Sequence, residues 1–200
     1  MSSPWVCTFT GRAVDLLQPA AETIHSWDVL YPLTRLARFS GHTSTTLAYS
    51  VAQHSLVVER LMPADAPPAL RLRALLHDAH EAYLGDITSP VADAIGRGPI
   101  DRLKRGLQAA IERAIGLAPE PCAAVPIHLA DRLALAIERR WLMASGTRPW
   151  SDLPPIPVDC PVSGIVPQQS ELVFDKLYMR VLQLVRAAGV RPLDSFGLGS

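Results

Sequence analysis

An all-α domain is the fold class the sequence predicts, and three observations lead to it. Apolar residues recur at three- and four-residue intervals through most of the chain, the stripe expected of amphipathic helices. Strand-like patterning is confined to residues 5–17, where Thr10-Gly11 separates two short extended pieces, a candidate hairpin. The 200 residues, 48% hydrophobic and 19% charged, suffice for one domain with a real core.

After the hairpin a first helix is expected near 27–37, ending before the Phe39-Ser40-Gly41-His42 turn. Residues 44–62 begin on Ser/Thr capping residues and stop before Pro63. Leu47, Val51, Val57, Val58 and Leu61 share one face of that segment, with His54 near its centre. A Pro-rich turn leads into a helix at 69–84. The next helix, 101–115, turns Leu103, Leu107, Ala110, Ile111 and Ala114 inward and stops at Gly116. Another spans 127–143. Six of the eighteen prolines fall within 144–168, which reads as an irregular arm. The last helix, Ser170 to Ala188, carries a core stripe of Phe174, Leu177, Val181, Leu184 and Val185, and Gly189 closes it. The sum is one domain over 1–200 with five or six helices and little sheet.

Composition narrows the function classes. Nineteen basic residues offset nineteen acidic ones, so there is no global charge to draw duplex nucleic acid or an anionic membrane. Three cysteines without C-x-x-C spacing suggest neither a disulfide framework nor a thiolate zinc site. The N-terminus lacks a basic flank followed by an apolar core, and no apolar run approaches the roughly 18 residues of a membrane span. The expected location is the cytoplasm.

The candidate chemistry lies in residues that look misplaced. His54 sits on an apolar face, Asp131 is flanked by Ile127, Ala134, Leu135 and Leu142, and His77-Asp78 end the apolar run ALRLRALL. Removing a carboxylate from water without a partner costs several kcal/mol. Each group could be satisfied separately, His54 by a core hydrogen bond and Asp131 by an arginine or a helix N-terminus. Together, two imidazoles and two carboxylates form a donor set suited to a divalent cation of the first transition row. Adjacent helical side chains diverge by about 100°, so His77 and Asp78 can share an ion only from a helix edge or end.

An isolated His (SVAQHSLVV), a His-Asp doublet (LLHDAHEAYLGDITSPV) and a later Asp (HLADRLALAIERR) together resemble the HD superfamily of metal-dependent phosphohydrolases. The string HDAHEAYLGDITSPV is similar to the bacterial 5′-deoxynucleotidase branch, and FTGRAVDLL and RFSGHTSTTLAYSVAQHS to that branch and its phage dATP triphosphohydrolase relatives. The resemblance covers residues 8–142 and implies a helical HD-domain bundle. It implies that His54, His77, Asp78 and Asp131 hold one divalent metal (zinc, manganese, cobalt or nickel) and that Glu81 positions or deprotonates the nucleophile. Glu81 is four residues after His77 and three after Asp78, the spacing of one helical face; a surface glutamate is the alternative. Asp86 would handle a leaving-group proton or the sugar, or else cap the next segment. Arg38 would clamp phosphate oxygens, or form a surface salt bridge. Phe39 would stand where the deoxynucleotidases carry tryptophan, and His42 could contact phosphate. His80 matches no family ligand but could serve a second cation.

The activity that the resemblance implies is hydrolysis of a nucleotide phosphate bond, with deoxynucleotides favoured, by a homo-oligomer. Monophosphatase and triphosphohydrolase stay open, with Arg35, Arg71 and Arg73 as candidates for distal phosphates. The alternatives are a nucleotide- or metal-binding regulatory module without catalysis, and a structural metalloprotein. The tandem histidines and GYP string of cyclic-dinucleotide phosphodiesterases are absent.

Overall fold

Among the residues described by the computed structural model (3–146, 148–150 and 152–198), two short strands and eight α-helices make up the chain. Met1, Ser2, Gly199 and Ser200, at the ends of the expected domain, and Thr147 and Ser151, in the expected arm, lie outside the described residues. The architecture is the expected all-α bundle with a small N-terminal hairpin. β1 (Trp5–Cys7) runs antiparallel to β2 (Ala13–Asp15), with Val6 opposite Val14. Asp28 pins the hairpin to the bundle, accepting hydrogen bonds from the Thr8 and Thr10 hydroxyls and the Thr10 N–H.

α1 (Ser26–Leu33) begins with the His25 ring accepting from the Trp27 N–H. It ends earlier than expected because Pro32 lies in its last turn and the Thr34 hydroxyl takes the Tyr31 carbonyl. The chain then makes a loop closed at its base. Ala37 bridges Ser50, the Arg38 N–H donates to the Tyr49 carbonyl, and the Val51 N–H to that of Leu36. α2 (Val51–Arg60) therefore starts seven residues later than the 44 expected from sequence. Ser50 is its cap, accepting from the Gln53 N–H, while Ser44 instead bonds the Leu142 carbonyl through both its N–H and its hydroxyl. Leu47, expected on the apolar face, precedes the helix and is exposed.

The segment expected to form one helix over 69–84 is two: α3 (Pro68–Leu75) and α4 (Glu81–Leu84). The turn between them is held by i→i−3 bonds, with Ala79 N–H donating to Leu76 and Glu81 N–H to Asp78. The Ala74 carbonyl, which a continuous helix would offer to the Asp78 N–H, accepts instead from the His77 ring at 2.9 Å. A side chain thus takes over a backbone position in the helical ladder, and the helix stops there.

α5 (Ser89–Ile95) was not anticipated; α6 (Arg97–Ala114), α7 (Ala124–Leu142) and α8 (Ser170–Ala188) follow the periodicity. Gly189 adopts the left-handed conformation that closes α8. The main core collects Leu30, Leu33, Val51, Leu72, Leu75, Leu107, Ile111, Leu177 and Val181. The arm is irregular, as expected, yet not loose. Val162 and Ile165 are buried against Tyr49, Ile137 and Leu142. Gln53 clamps it as well, donating to the Val166 carbonyl and accepting from the Gln168 N–H. No helix of the described residues is long and apolar enough to cross a membrane.

Candidate metal centre

Four predicted ligands come from three elements: His54 from α2, His77 and Asp78 from the turn after α3, and Asp131 from α7. His54 Nε2 lies 3.3 Å from His77 Nε2, 3.2 Å from Asp131 Oδ1 and 3.7 Å from Asp78 Oδ2. His77 Nε2 is 3.2 Å from Asp78 Oδ2 and 3.9 Å from Asp131 Oδ1. Ligand atoms of His54, His77 and Asp78 all fall within 4.8 Å of one another; Asp131 approaches from the imidazole side. The helix break explains how neighbours 77 and 78 face one point, since neither is held in a regular helix. It also corrects the reason given for Glu81, which reaches the cluster through the turn and not along a shared helical face. Asp131 lies two turns into α7, not in its first turns, so the helix dipole cannot account for its charge.

The outer ring nitrogens decide what this cluster can do. A carbonyl oxygen only accepts, so His77 Nδ1 carries the hydrogen in its bond to Ala74, and the neutral ring turns a lone pair inward at Nε2. His54 Nδ1 sits 2.6 Å from Glu138 Oε1, which likewise leaves Nε2 bare in the neutral ring. With both rings neutral, two lone pairs at 3.3 Å, flanked by two carboxylates, repel each other unless a cation, metal or proton, lies between them. The described residues therefore fit a divalent metal, with a carboxylate behind one imidazole and a carbonyl behind the other.

Without an ion, a proton on His54 Nε2, 3.2 Å from Asp131 Oδ1, takes the place of the cation. Burial and Arg38 work to lower the pKa of His54, but Glu138 and Asp131 outweigh them and push it up to about 9. Against burial, His77, His54 and Arg38 hold Asp78 well below the usual carboxylate range. Burial, with Asp78 and Asp86, pushes Glu81 up to about 9 in spite of Arg38 and Lys104. Asp86 is also raised, chiefly by burial, and faces the Phe39 N–H. A test follows from His54. Its folded pKa of about 9 exceeds the ordinary 6.5, so the stability its proton contributes is complete below about pH 6.5 and lost as pH rises through 9. Chelated protein is expected to lose thermal stability across that window, and metal-loaded protein to keep it, because the ion replaces that proton. Parallel melting curves with and without chelator would refute this.

Arg38 lies beside the cluster, its Nη1 3.7 Å from Asp78 Oδ2 and its Nε 3.3 Å from Glu138 Oε2. The next two residues, Phe39 and Ser40, both have positive φ (57° and 52°), a strained conformation that persists where surrounding structure enforces it. The Phe39 ring lies 5.9 Å from that of Trp150 on the arm. His42 is exposed, and no side-chain hydrogen bond or ion pair joins it to the cluster among the described residues. A cavity of about 420 Å³ opens beside His77, lined also by Gln108, Glu112, Ala124 and Ile127. A slightly larger one, about 460 Å³, lies between α2, α8 and the arm and touches none of the four ligands.

Sequence reasoning missed Glu138, Tyr49, Lys104 and Trp150. Glu138 is fully buried, and its Oε1 also accepts from the Tyr49 hydroxyl at 3.1 Å. One signal could have found it: it follows Asp131 by seven residues, two helical turns, on the same apolar face. The others carry no such signal.

No protein-family model matches the chain. The chain is similar to an uncharacterized protein of Rhodobacter capsulatus, at 44% identity over 121 residues, and spans 61% of that relative's length with 58% of its own. It is also similar to the Escherichia coli protein named Uncharacterized protein YfdR, at 32% identity over 153 residues, 76% of this chain and 80% of YfdR. At that identity and coverage, the chain belongs to the family of YfdR.

Proposed function

We propose that this protein is a metal-dependent phosphohydrolase of the HD superfamily acting on nucleotides, with deoxynucleotides as the favoured class. The observation that carries the proposal is the convergence of two imidazole lone pairs and the carboxylates of Asp78 and Asp131 beside a buried guanidinium. When bound to His54, His77, Asp78 and Asp131, a zinc, manganese, cobalt or nickel ion supplies Lewis acidity toward a phosphoryl oxygen and an acidified water as nucleophile.

The chain's own residues supply the rest. Arg38 keeps its charge among Glu138, Asp78, Asp86 and Glu81 and offers it to a phosphate. Glu138 holds the guanidinium by an ion pair at Nε, 3.3 Å away, without a hydrogen bond, and the outer nitrogens remain for the substrate. Glu81, buried beside Asp78, orients or takes a proton from the nucleophile. Asp86 faces the same guanidinium and suits the leaving-group side. Phe39 and Trp150 offer aromatic faces next to Arg38 for a base or sugar. Phosphoryl transfer depends mainly on positioning and charge stabilisation, which this set provides.

The test is a hydrolysis screen of metal-reconstituted protein against ribo- and deoxynucleotides as mono-, di- and triphosphates. Glu81→Gln is expected to lower turnover by about 10²–10⁴-fold while leaving the ion at His54 and His77 in place. Phosphate released from monophosphates identifies a nucleotidase; intact triphosphate released identifies a triphosphohydrolase. Stoichiometric metal without turnover of any nucleotide would overturn the substrate assignment in favour of a binding module.

A further inference from the structure

Arg139, half-buried on α7, carries a guanidinium without a partner. Its Nε is shielded from water and makes no hydrogen bond, and among the described residues no carboxylate pairs with it. Other arginines differ. Arg38 stands 3.7 Å from Asp78 and 3.3 Å from Glu138, Arg71 pairs with Glu59, and Arg73 with Glu112. A guanidinium keeps its charge and only donates. One with neither acceptor nor counter-charge is suited to an acceptor from outside.

Its surroundings say which kind. Arg139 follows Glu138 in the helix and so leaves it at about 100°, away from His54. Its guanidinium carbon lies over the Trp150 ring, 5.8 Å from the centroid, within cation–π range but farther than a contact centred on the ring. Two residues beyond Trp150, Asp152 takes a positive φ of 66° and its carbonyl accepts from Arg132 of α7, which ties the arm there. Phe39 packs against the cluster of Tyr49, Ile137 and Leu142 and lies 5.9 Å from Trp150. Arg38 in turn stands 5.3 Å from the Phe39 ring. The order is therefore a guanidinium beside the metal ligands, two rings, and a second guanidinium. The rings are within direct aromatic contact, so a base stacks on their outer surface and not between them.

We propose that Trp150 and Arg139 form a base subsite that selects guanine. The subsite rests on the proposed phosphohydrolase function, since the phosphate of the same nucleotide must lie between the metal ligands and Arg38. Stacking on Trp150 favours any base, because each has a π face; the guanidinium supplies the choice. Guanine presents two adjacent acceptors, O6 and N7, which match the arginine fork. Adenine places its N6 donor beside N7, which sets donor against donor. Cytosine has adjacent acceptors at O2 and N3 but only a single ring to cover the aromatic surface. With no bond to break, the Arg139 side chain can turn its fork, Nε included, onto the two guanine atoms.

The experiment measures kcat/KM of the metal-reconstituted full chain for the four deoxynucleotides, as monophosphates and as triphosphates. The wild-type chain is expected to favour guanine over adenine by about 10- to 100-fold in whichever series it hydrolyses. Arg139→Met, which keeps an apolar stem on Trp150, and Arg139→Gln should each abolish that ratio, with metal content and helical circular dichroism as in the wild type. A ratio between bases is not moved by a general loss of folded protein. A wild-type chain without the guanine preference, or a preference that survives in both variants, overturns the subsite and leaves the hydrolase standing. Variants that lose triphosphate turnover equally for every base would place a distal phosphate on Arg139 and overturn the base assignment. A wild-type chain that turns over no nucleotide overturns the proposed function, and the subsite with it.

Discussion

Under the proposed function, alanine at His77 is expected to lower nucleotide hydrolysis by about 10³-fold or more and to abolish metal binding at His54, Asp78 and Asp131. The magnitude follows from what the cation contributes: several kcal/mol of charge stabilisation in the transition state, at about 1.4 kcal/mol per factor of ten. His77 is the better choice for this test than His54. Its side chain is 13% exposed and, among the described residues, its only polar tie beyond the cluster is the Ala74 carbonyl, which can take a water in its place. His54 is fully buried against Glu138, so truncating it would disturb packing and an ion pair as well. The measurement is turnover with metal content and melting temperature on the same sample. A His77→Ala protein that retains full metal and full turnover would remove His77 from the centre.

Glu138 should produce the second large effect, and it separates positioning from mere stability. This carboxylate is fully buried, accepts from His54 and Tyr49, and stands 3.3 Å from Arg38 Nε. Glu138→Ala leaves the imidazole and the guanidinium without their shared partner. Breaking a buried pair from one side costs about 3–5 kcal/mol, read as a lower denaturation midpoint. Glu138→Gln keeps an acceptor for His54 Nδ1 but removes the charge that raises ligand basicity, and metal affinity is expected to fall by 10–100-fold. That loss should appear at temperatures where the variant remains fully folded. If stability falls while metal affinity holds in the glutamine variant, Glu138 is a packing residue and nothing more.

Much of the fold was legible because it rests on local patterns. The stripe Phe174, Leu177, Val181, Leu184 and Val185 with Gly189 beyond it defines α8 at the bounds observed. The hairpin around Thr10-Gly11 forms where its extended flanks placed it. Errors arose where a side chain competes for a backbone group. Ser44 bonds Leu142, about a hundred residues away in the chain, so the Ser/Thr run at 44–46 cannot cap α2. The His77 ring takes the Ala74 carbonyl, so the helix expected over 69–84 breaks at the doublet itself.

The same division holds at the site. By its composition and spacing alone, the sequence determined the all-α fold class and singled out His54, His77, Asp78 and Asp131 as polar groups beside apolar residues that each need a partner. It marked Arg38, Glu81 and Asp86 by resemblance. Only the tertiary structure decided that His54, His77 and Asp78 face one point with Asp131 against the imidazoles, that both Nε2 atoms point inward, and that Glu138 and Tyr49 stand behind His54. The physical reason is range. Hydrophobic period and helix caps are settled within a few residues, whereas hydrogen-bond direction and charge pairing depend on groups that only folding brings together.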